Sequence, residues 1–129
     1  MVVDTSAVIA ILFDEPERPD FNRHIVHSAT RLLSPVNRVE LTCVVEGRKG
    51  SAGRSGLERF LDEAGIEVVS IDGLHADLAC EAFRRFGKGR HPAALNIGDC
   101  FAYALARATG EPLLYKGDDF SRTDIASVA

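Results

Sequence analysis

The chain has no C-x-x-C pair, and its three cysteines, Cys43, Cys80 and Cys100, are odd in number and far apart. That excludes a disulfide framework and a zinc ribbon and leaves the thiols as small buried hydrophobes. Its apolar runs fall far short of the ~20 residues that span a bilayer; the stretch Ala7 to Phe13 is ended at once by Asp14 and Glu15. Met1 leads directly into Val2, Val3 and Asp4 with no basic n-region and no small-residue cleavage site, so no membrane span or secretory signal is read and the expected location is cytoplasmic. A basic surplus is also missing: 15 Lys and Arg stand against 19 Asp and Glu, a net charge of −4. The overall field therefore does not hold nucleic acid, and any such binding must come from local basic patches. Gly50 to Gly56 lacks the G-K-[ST] ending of a phosphate-binding loop, and His24-x-x-His27 lacks the Glu of a zinc-protease helix. Repeats and low-complexity tracts are absent too.

What is present is the composition of a globular protein, 46% hydrophobic and 26% charged over 129 residues, enough for one domain spanning 1–129 with a real core. Val2 and Val3 read as a short buried strand feeding an apolar helix capped by Thr5 or Ser6. Phe21, Ile25 and Val26 recur at helical spacing within 16–29, and Arg31 to Ser34 reads as a second strand. Asn37 is the expected cap of a third helix, which frays at Gly47 to Gly50, so that Gly47 to Gly56 forms an interhelical loop before an amphipathic helix ending at Gly65. Ile66 to Ile71 is the clearest strand. Leu74 to Phe86 and Gly98 to Thr109 read as helices closed by Gly87 and Gly110, and Leu113 to Tyr115 as a last strand. Strands alternating with helices predict an α/β domain with a mainly parallel sheet, whose sites lie at the carboxyl ends of the strands.

Acids stand at those ends or begin the helices beside them: Asp4 after the first strand, Asp99 at a helix start, the pair Asp118-Asp119 after the last strand, and Glu40 near a first helical turn. Singly, Asp4 and Asp99 read equally well as helix caps and Asp118-Asp119 as a turn. Together they point elsewhere. Carboxylates forced together repel unless a cation supplies the missing charge. Mg²⁺ or Mn²⁺ prefers oxygen ligands, keeps water and commonly binds one or two carboxylates with a substrate phosphate, which predicts phosphoester chemistry.

Val2-Val3-Asp4-Thr5-Ser6-Ala7, Glu40 within Arg38-Val39-Glu40-Leu41, Asn96-Ile97-Gly98-Asp99-Cys100, and Leu114-Tyr-Lys-Gly-Asp-Asp-Phe120 in this order resemble a PIN-domain protein of the VapC toxin ribonuclease type, from Val2 to about Ile125. The resemblance implies a three-layer α/β/α fold, a metal-dependent endoribonuclease, a cognate antitoxin and a homodimer. Asp4, Glu40 and Asp99 match the family's three strongest acids, with Asp4 and Asp99 as direct ligands of Mg²⁺ or Mn²⁺. Asp119 matches the fourth, although Asp118 beside it could take that role. Thr5 and Ser6 either support a carboxylate or a water at the metal, or simply cap the helix.

An acidic site that cuts RNA still has to attract a polyanion, so cations outside the carboxylates are required. Arg84, Arg85, Lys88, Arg90 and His91 form the densest group, with Arg48, Lys49 and Arg54 as a second. Lys116 is a further candidate for contact with substrate or with an acid. Two other functions fit parts of the pattern: a metal-dependent phosphohydrolase of small substrates, which needs an enclosed pocket, and an interaction module whose acids only maintain the fold.

Overall fold

In the computed structural model, which describes residues 1–128, the chain alternates strands and helices: β1 (Val2–Val3), α1 (Thr5–Leu12), α2 (Arg18–His27), β2 (Leu32–Leu33), α3 (Pro35–Glu63), β3 (Glu67–Val68), α4 (Gly73–Phe86), α5 (Ile97–Thr109) and β4 (Leu113–Leu114), followed by a 3-10 turn at Phe120–Arg122. The four strands are parallel in the order β3-β2-β1-β4. Two-residue strands hold together because the period of two sends neighbouring side chains to opposite faces. Val3, Leu33 and Leu114 pack on the α1–α3 side; Val2 and Leu113 pack on the α4–α5 side. The result is three layers with an apolar core on each face of the sheet.

The connections run from β1 outward to β2 and β3, then cross to β4 on the other side of β1. The crevice between the carboxyl ends of β1 and β4 is thus the switch point where parallel sheets place their sites. Asp4 leaves β1 there, pinned by its backbone N–H to Leu114 O at 2.9 Å. Among the described residues no helix is long and apolar enough to cross a membrane.

Four local expectations are corrected. The cap of α1 is Asp4, which accepts from Ser6 N; Thr5 and Ser6 are already helical. The cap of α3 is Ser34, with Pro35 following it, since Pro suits a first turn where its missing N–H costs nothing. Asn37 is instead fully buried inside that helix. Gly47 to Gly56 is not a loop: α3 runs through it and is interrupted only at Gly50, at φ 60° and ψ −147°. That geometry is open to Gly and strained for other residues, so one glycine kinks the helix where a glycine-rich stretch was expected to end it. Finally, Ile66 to Ile71 contributes only Glu67–Val68 to the sheet, because β3 is an edge strand bonded to β2 alone.

Candidate active site

Asp4 is 3% exposed. Its Oδ2 accepts from Ser6 N at 3.0 Å and from Ser6 Oγ at 2.6 Å, while Oδ1 is buried without a hydrogen-bond partner. Burial, and after it the negative charges of Asp99 and Glu40, pushes the Asp4 carboxyl up to about 7 against the pull of the Ser6 bonds. Ser6 Oγ also accepts from Lys116 N at 2.9 Å, tying the segment after β4 to the end of β1. The first residues of α1 therefore act as cap and as scaffold of the crevice at once.

Glu40 comes from α3 and is held from two sides. Thr5 Oγ1 donates to its Oε1, and Asn37 Nδ2 lies 3.3 Å from the same oxygen. Asn37 Nδ2 also reaches Thr5 Oγ1 at 3.1 Å and Gly98 O at 3.1 Å, joining α1, α3 and α5 at one buried amide. Sequence reading missed this residue's role and took it for a cap. The available signal was its place three residues before Glu40, on the same helical face. Gly98 completes the arrangement: a Cβ there would lie 2.3 Å from Glu40 Oε2 and 2.6 Å from Oε1, so the carboxylate occupies the space that this glycine leaves.

Asp99 sits in a capping box with Asn96, Asn96 N donating to Asp99 Oδ2 at 3.0 Å and Asp99 N to Asn96 Oδ1 at 2.9 Å. Burial first, then the charges of Glu40 and Asp119, raises its carboxyl to about 6. Of the acid pair after β4, both exposed, Asp119 acts on Asp99 electrostatically, whereas Asp118 is engaged through its carbonyl, which accepts from Ser121 Oγ at 2.6 Å. The cap reading and the cluster reading of Asp4 and Asp99 thus hold together: a helix N-terminus fixes each carboxylate while aiming it at the same crevice.

A family model for the PIN domain matches residues 1–126. The chain is 46% identical over 129 residues to VapC ribonuclease Mb0640 of Mycobacterium bovis and to Ribonuclease VapC30 of Mycobacterium tuberculosis, covering all of this chain and 98% of each relative. Over 128 residues it is 45% identical to Ribonuclease VapC of Mycolicibacterium smegmatis, covering 99% of both. The chain belongs to the PIN-domain family of VapC ribonucleases. Its fold is also that of Mycobacterium tuberculosis VapC20, described as a sarcin-ricin loop cleaving toxin, with a TM-score of 0.77, 16% identity and coverage of 97% and 95% of the two chains. VapC ribonucleases of the PIN type depend on divalent metal, and a VapC toxin implies an RNA substrate and an antitoxin.

The residues of this PIN domain suit such a metal. The donors are all carboxylate oxygens, and Asp4 Oδ1 is an unpartnered buried acceptor between like charges. Among the described residues no trio of His, Cys, Asp or Glu forms an ion cage by itself. A hard cation that takes one or two protein carboxylates and completes its shell with water and substrate oxygens does not require such a cage.

The basic group divides. Arg85 is engaged with Asp124 at 3.1 Å and Glu81 at 3.8 Å, and His91 accepts from Ala93 N at 3.0 Å while its ring meets Phe86 edge-on. Arg84, Lys88 and Arg90 have no carboxylate partner among the described residues. The Lys116 ammonium pairs with Glu15 at 2.9 Å and Glu17 at 3.1 Å. In the second group, Arg48 and Lys49 cover the ring of Phe13, and Arg54 pairs with Glu46 at 3.9 Å.

Proposed function

We propose that this VapC-type chain, as one PIN domain, is the toxin of a toxin–antitoxin pair: an endoribonuclease that uses Mg²⁺ or Mn²⁺ to hydrolyse phosphodiester bonds of RNA in the cytoplasm. The observation that carries the reading is the buried carboxylate of Asp4, one oxygen bonded to Ser6 and the other unpartnered, facing the charges of Asp99 and Glu40. Without a cation such a cluster only costs stability. Asp4 and Asp99 would hold the metal, with Asp119 beside Asp99 as the fourth acid. When bound, the cation supplies Lewis acidity toward the phosphate oxygens and lowers the pKa of a coordinated water. Glu40, with Oε1 fixed by Thr5 and Asn37, presents Oε2 to accept a proton from the attacking water. Asn37 and Thr5 position Glu40, and Ser6 positions Asp4.

Metal and protons compete for the same oxygens. Because burial and like charge place Asp4 at about 7 and Asp99 at about 6, Mn²⁺ binding should release protons at pH 6 and tighten as pH rises to about 7.5. Calorimetry in two buffers of different ionisation enthalpy reads this directly. Binding without proton release at pH 6 would remove these two carboxylates from the metal site. The cleavage test uses purified chain with labelled RNA: activity is expected with Mn²⁺ or Mg²⁺, lost with EDTA, and lost in Asp99→Asn.

An antitoxin and a second copy of the chain belong to the same reading. Val26 on α2, Val39 on α3 and Leu74 on α4 are 69%, 63% and 59% exposed, apolar surface that partners would remove from water. Induced expression of wild type is expected to stop growth while Asp99→Asn at matched levels does not. Equal inhibition by both would show that toxicity does not come from cleavage.

A further inference from the structure

Arg122 closes the 3-10 turn Phe120–Arg122, of which Asp119 is the cap. Three residues make one turn of such a helix, so positions i and i+3 stand on one edge, and Arg122 N bonds back to Asp119 O at 3.3 Å. The Arg122 guanidinium donates to Pro92 O at 3.4 Å. Pro92 belongs to the loop between α4 and α5 whose last residue, Asn96, forms the capping box that holds Asp99. Arg122 therefore joins the two segments that carry Asp119 and Asp99, and the charge of Asp119 is felt at Asp99. The turn beneath it is anchored. Phe120 is buried and meets the ring of Tyr115 at 5.2 Å between centres, Thr123 Oγ1 donates to Phe120 O at 2.7 Å, and Asp124 is held by Tyr103 Oη at 2.6 Å, Arg85 at 3.1 Å and Arg107 at 3.4 Å. The Arg122 side chain, in contrast, is exposed and has no carboxylate partner among the described residues.

We propose that Arg122 is a substrate-binding residue of this nuclease, taking the oxygens of the RNA phosphate next to the one that is cut. The proposal rests on the ribonuclease reading and adds a contact outside the basic group at 84–91. Acids at the crevice and a net charge of −4 repel a polyanion, so a phosphate beside the metal needs a cation close at hand. Lys116, the other cation near the acid pair in the chain, is paired with Glu15 and Glu17, and Arg85 and Arg107 are paired with Asp124. That leaves Arg122 on this segment. Its carbonyl partner takes one of five N–H donors and offsets none of the charge, and a planar guanidinium matches two phosphate oxygens at once. A rigid turn under a free side chain fixes where that phosphate lies. Lys88 and Arg90, on the same loop as Pro92, are exposed and also lack carboxylate partners among the described residues, so the loop adds further cations for the same strand.

The test proceeds phosphate by phosphate. Wild type with Mn²⁺ locates the cut in a short labelled RNA. The same RNA, with one phosphate at a time replaced by an uncharged methylphosphonate, is then bound over a series of salt concentrations to the Asp4→Asn chain with Arg122 intact or with Arg122→Ala, Arg122→Gln or Arg122→Lys. With Arg122 intact, replacement of the phosphate adjacent to the cut is expected to weaken binding about tenfold. In Arg122→Ala and Arg122→Gln the unmodified RNA should bind about tenfold less tightly, and the same replacement should have no further effect. Losing one phosphate contact also lowers the slope of log affinity against log salt by about 0.7, and Arg122→Lys should restore the slope. In the cleaving chain KM should rise with Arg122→Ala and Arg122→Gln while Mn²⁺ affinity is unchanged. Affinity and slope retained in both variants would overturn the contact and leave the ribonuclease reading standing. Loss in Arg122→Ala with full affinity in Arg122→Gln would overturn it in favour of a tie between turn and loop, since the amide still donates to Pro92 O. A sensitive phosphate several nucleotides from the cut would overturn the placement beside the crevice. No cleavage of any RNA by wild type with Mn²⁺ or Mg²⁺ would overturn both readings.

Discussion

Asp4→Asn is expected to cut RNA at less than about a thousandth of the wild-type rate, a loss of several kcal/mol of transition-state stabilisation, and at the same time to make the metal-free fold more stable at pH 7. The two effects have one cause. Asn caps a helix as well as Asp does, so the bond from Ser6 N is kept, and an amide N–H₂ in place of the unpartnered Oδ1 can donate to the acids around it. What disappears is a buried negative charge. Burial raises the carboxyl from 3.8 to about 7, so between those values the folded state binds more protons than the unfolded one. Stability therefore falls as pH rises through that window, with no penalty below 3.8 and the full penalty above about 7. The upper bound of that penalty is roughly 4 kcal/mol, and a gain of about 2–4 kcal/mol is expected in the variant. Urea unfolding with EDTA at pH 5 and pH 7.5 measures it: wild type should lose stability between the two, and the variant should lose much less, its remaining slope ending near the Asp99 value of about 6. Equal stability of the two proteins at pH 7.5 would sink this account of Asp4.

Gly98→Ala is expected to lower kcat about a hundredfold while barely changing the unfolding midpoint. The added methyl would lie 2.3 Å from Glu40 Oε2, and what it meets is the free end of a side chain, which can swing away without moving the backbone. Gly98 lies in the first turn of α5, where a helical backbone suits Ala at least as well as Gly. The displaced carboxylate loses its bond from Thr5 Oγ1 and the contact with Asn37 Nδ2, and with them the orientation needed to take a proton. The metal should still bind, since Asp4 and Asp99 are held by Ser6 and Asn96. Wild-type kcat in Gly98→Ala would mean that Glu40 has no part in the reaction. A collapse of stability would mean that Gly98 serves packing instead.

The order of the elements was legible because each strand and helix carries its own period and punctuation: Gly65, Gly87 and Gly110 fall at helix ends as read. The helix at Gly47 to Gly56 was not legible. Several glycines in ten residues weaken a helix locally, yet Val45, Leu57 and Leu61 are buried on its two arms, and that packing holds the helix on both sides of Gly50. β3 was overestimated for the converse reason. A β-branched run pairs only where a neighbour exists, and β2 offers two residues.

Within the site, sequence alone determined which acids stand at strand ends and helix starts, because a parallel sheet sends all such ends to one edge. From that it followed that Asp4, Asp99 and one of the Asp118-Asp119 pair belong together. The tertiary structure decided what no local pattern encodes. Asn37 left the role of cap to become the buried amide joining three helices, Gly98 became the space for the Glu40 carboxylate, Lys116 turned to Glu15 and Glu17, and Arg85 was bound to Asp124 while Arg84 and Arg90 have no carboxylate partner among the described residues. Periodicity is a property of neighbours along the chain and survives in the sequence. Burial, and with it the energy of a charge or an unpaired amide, depends on what arrives from 32 to 101 residues away, and exists only once the layers have closed.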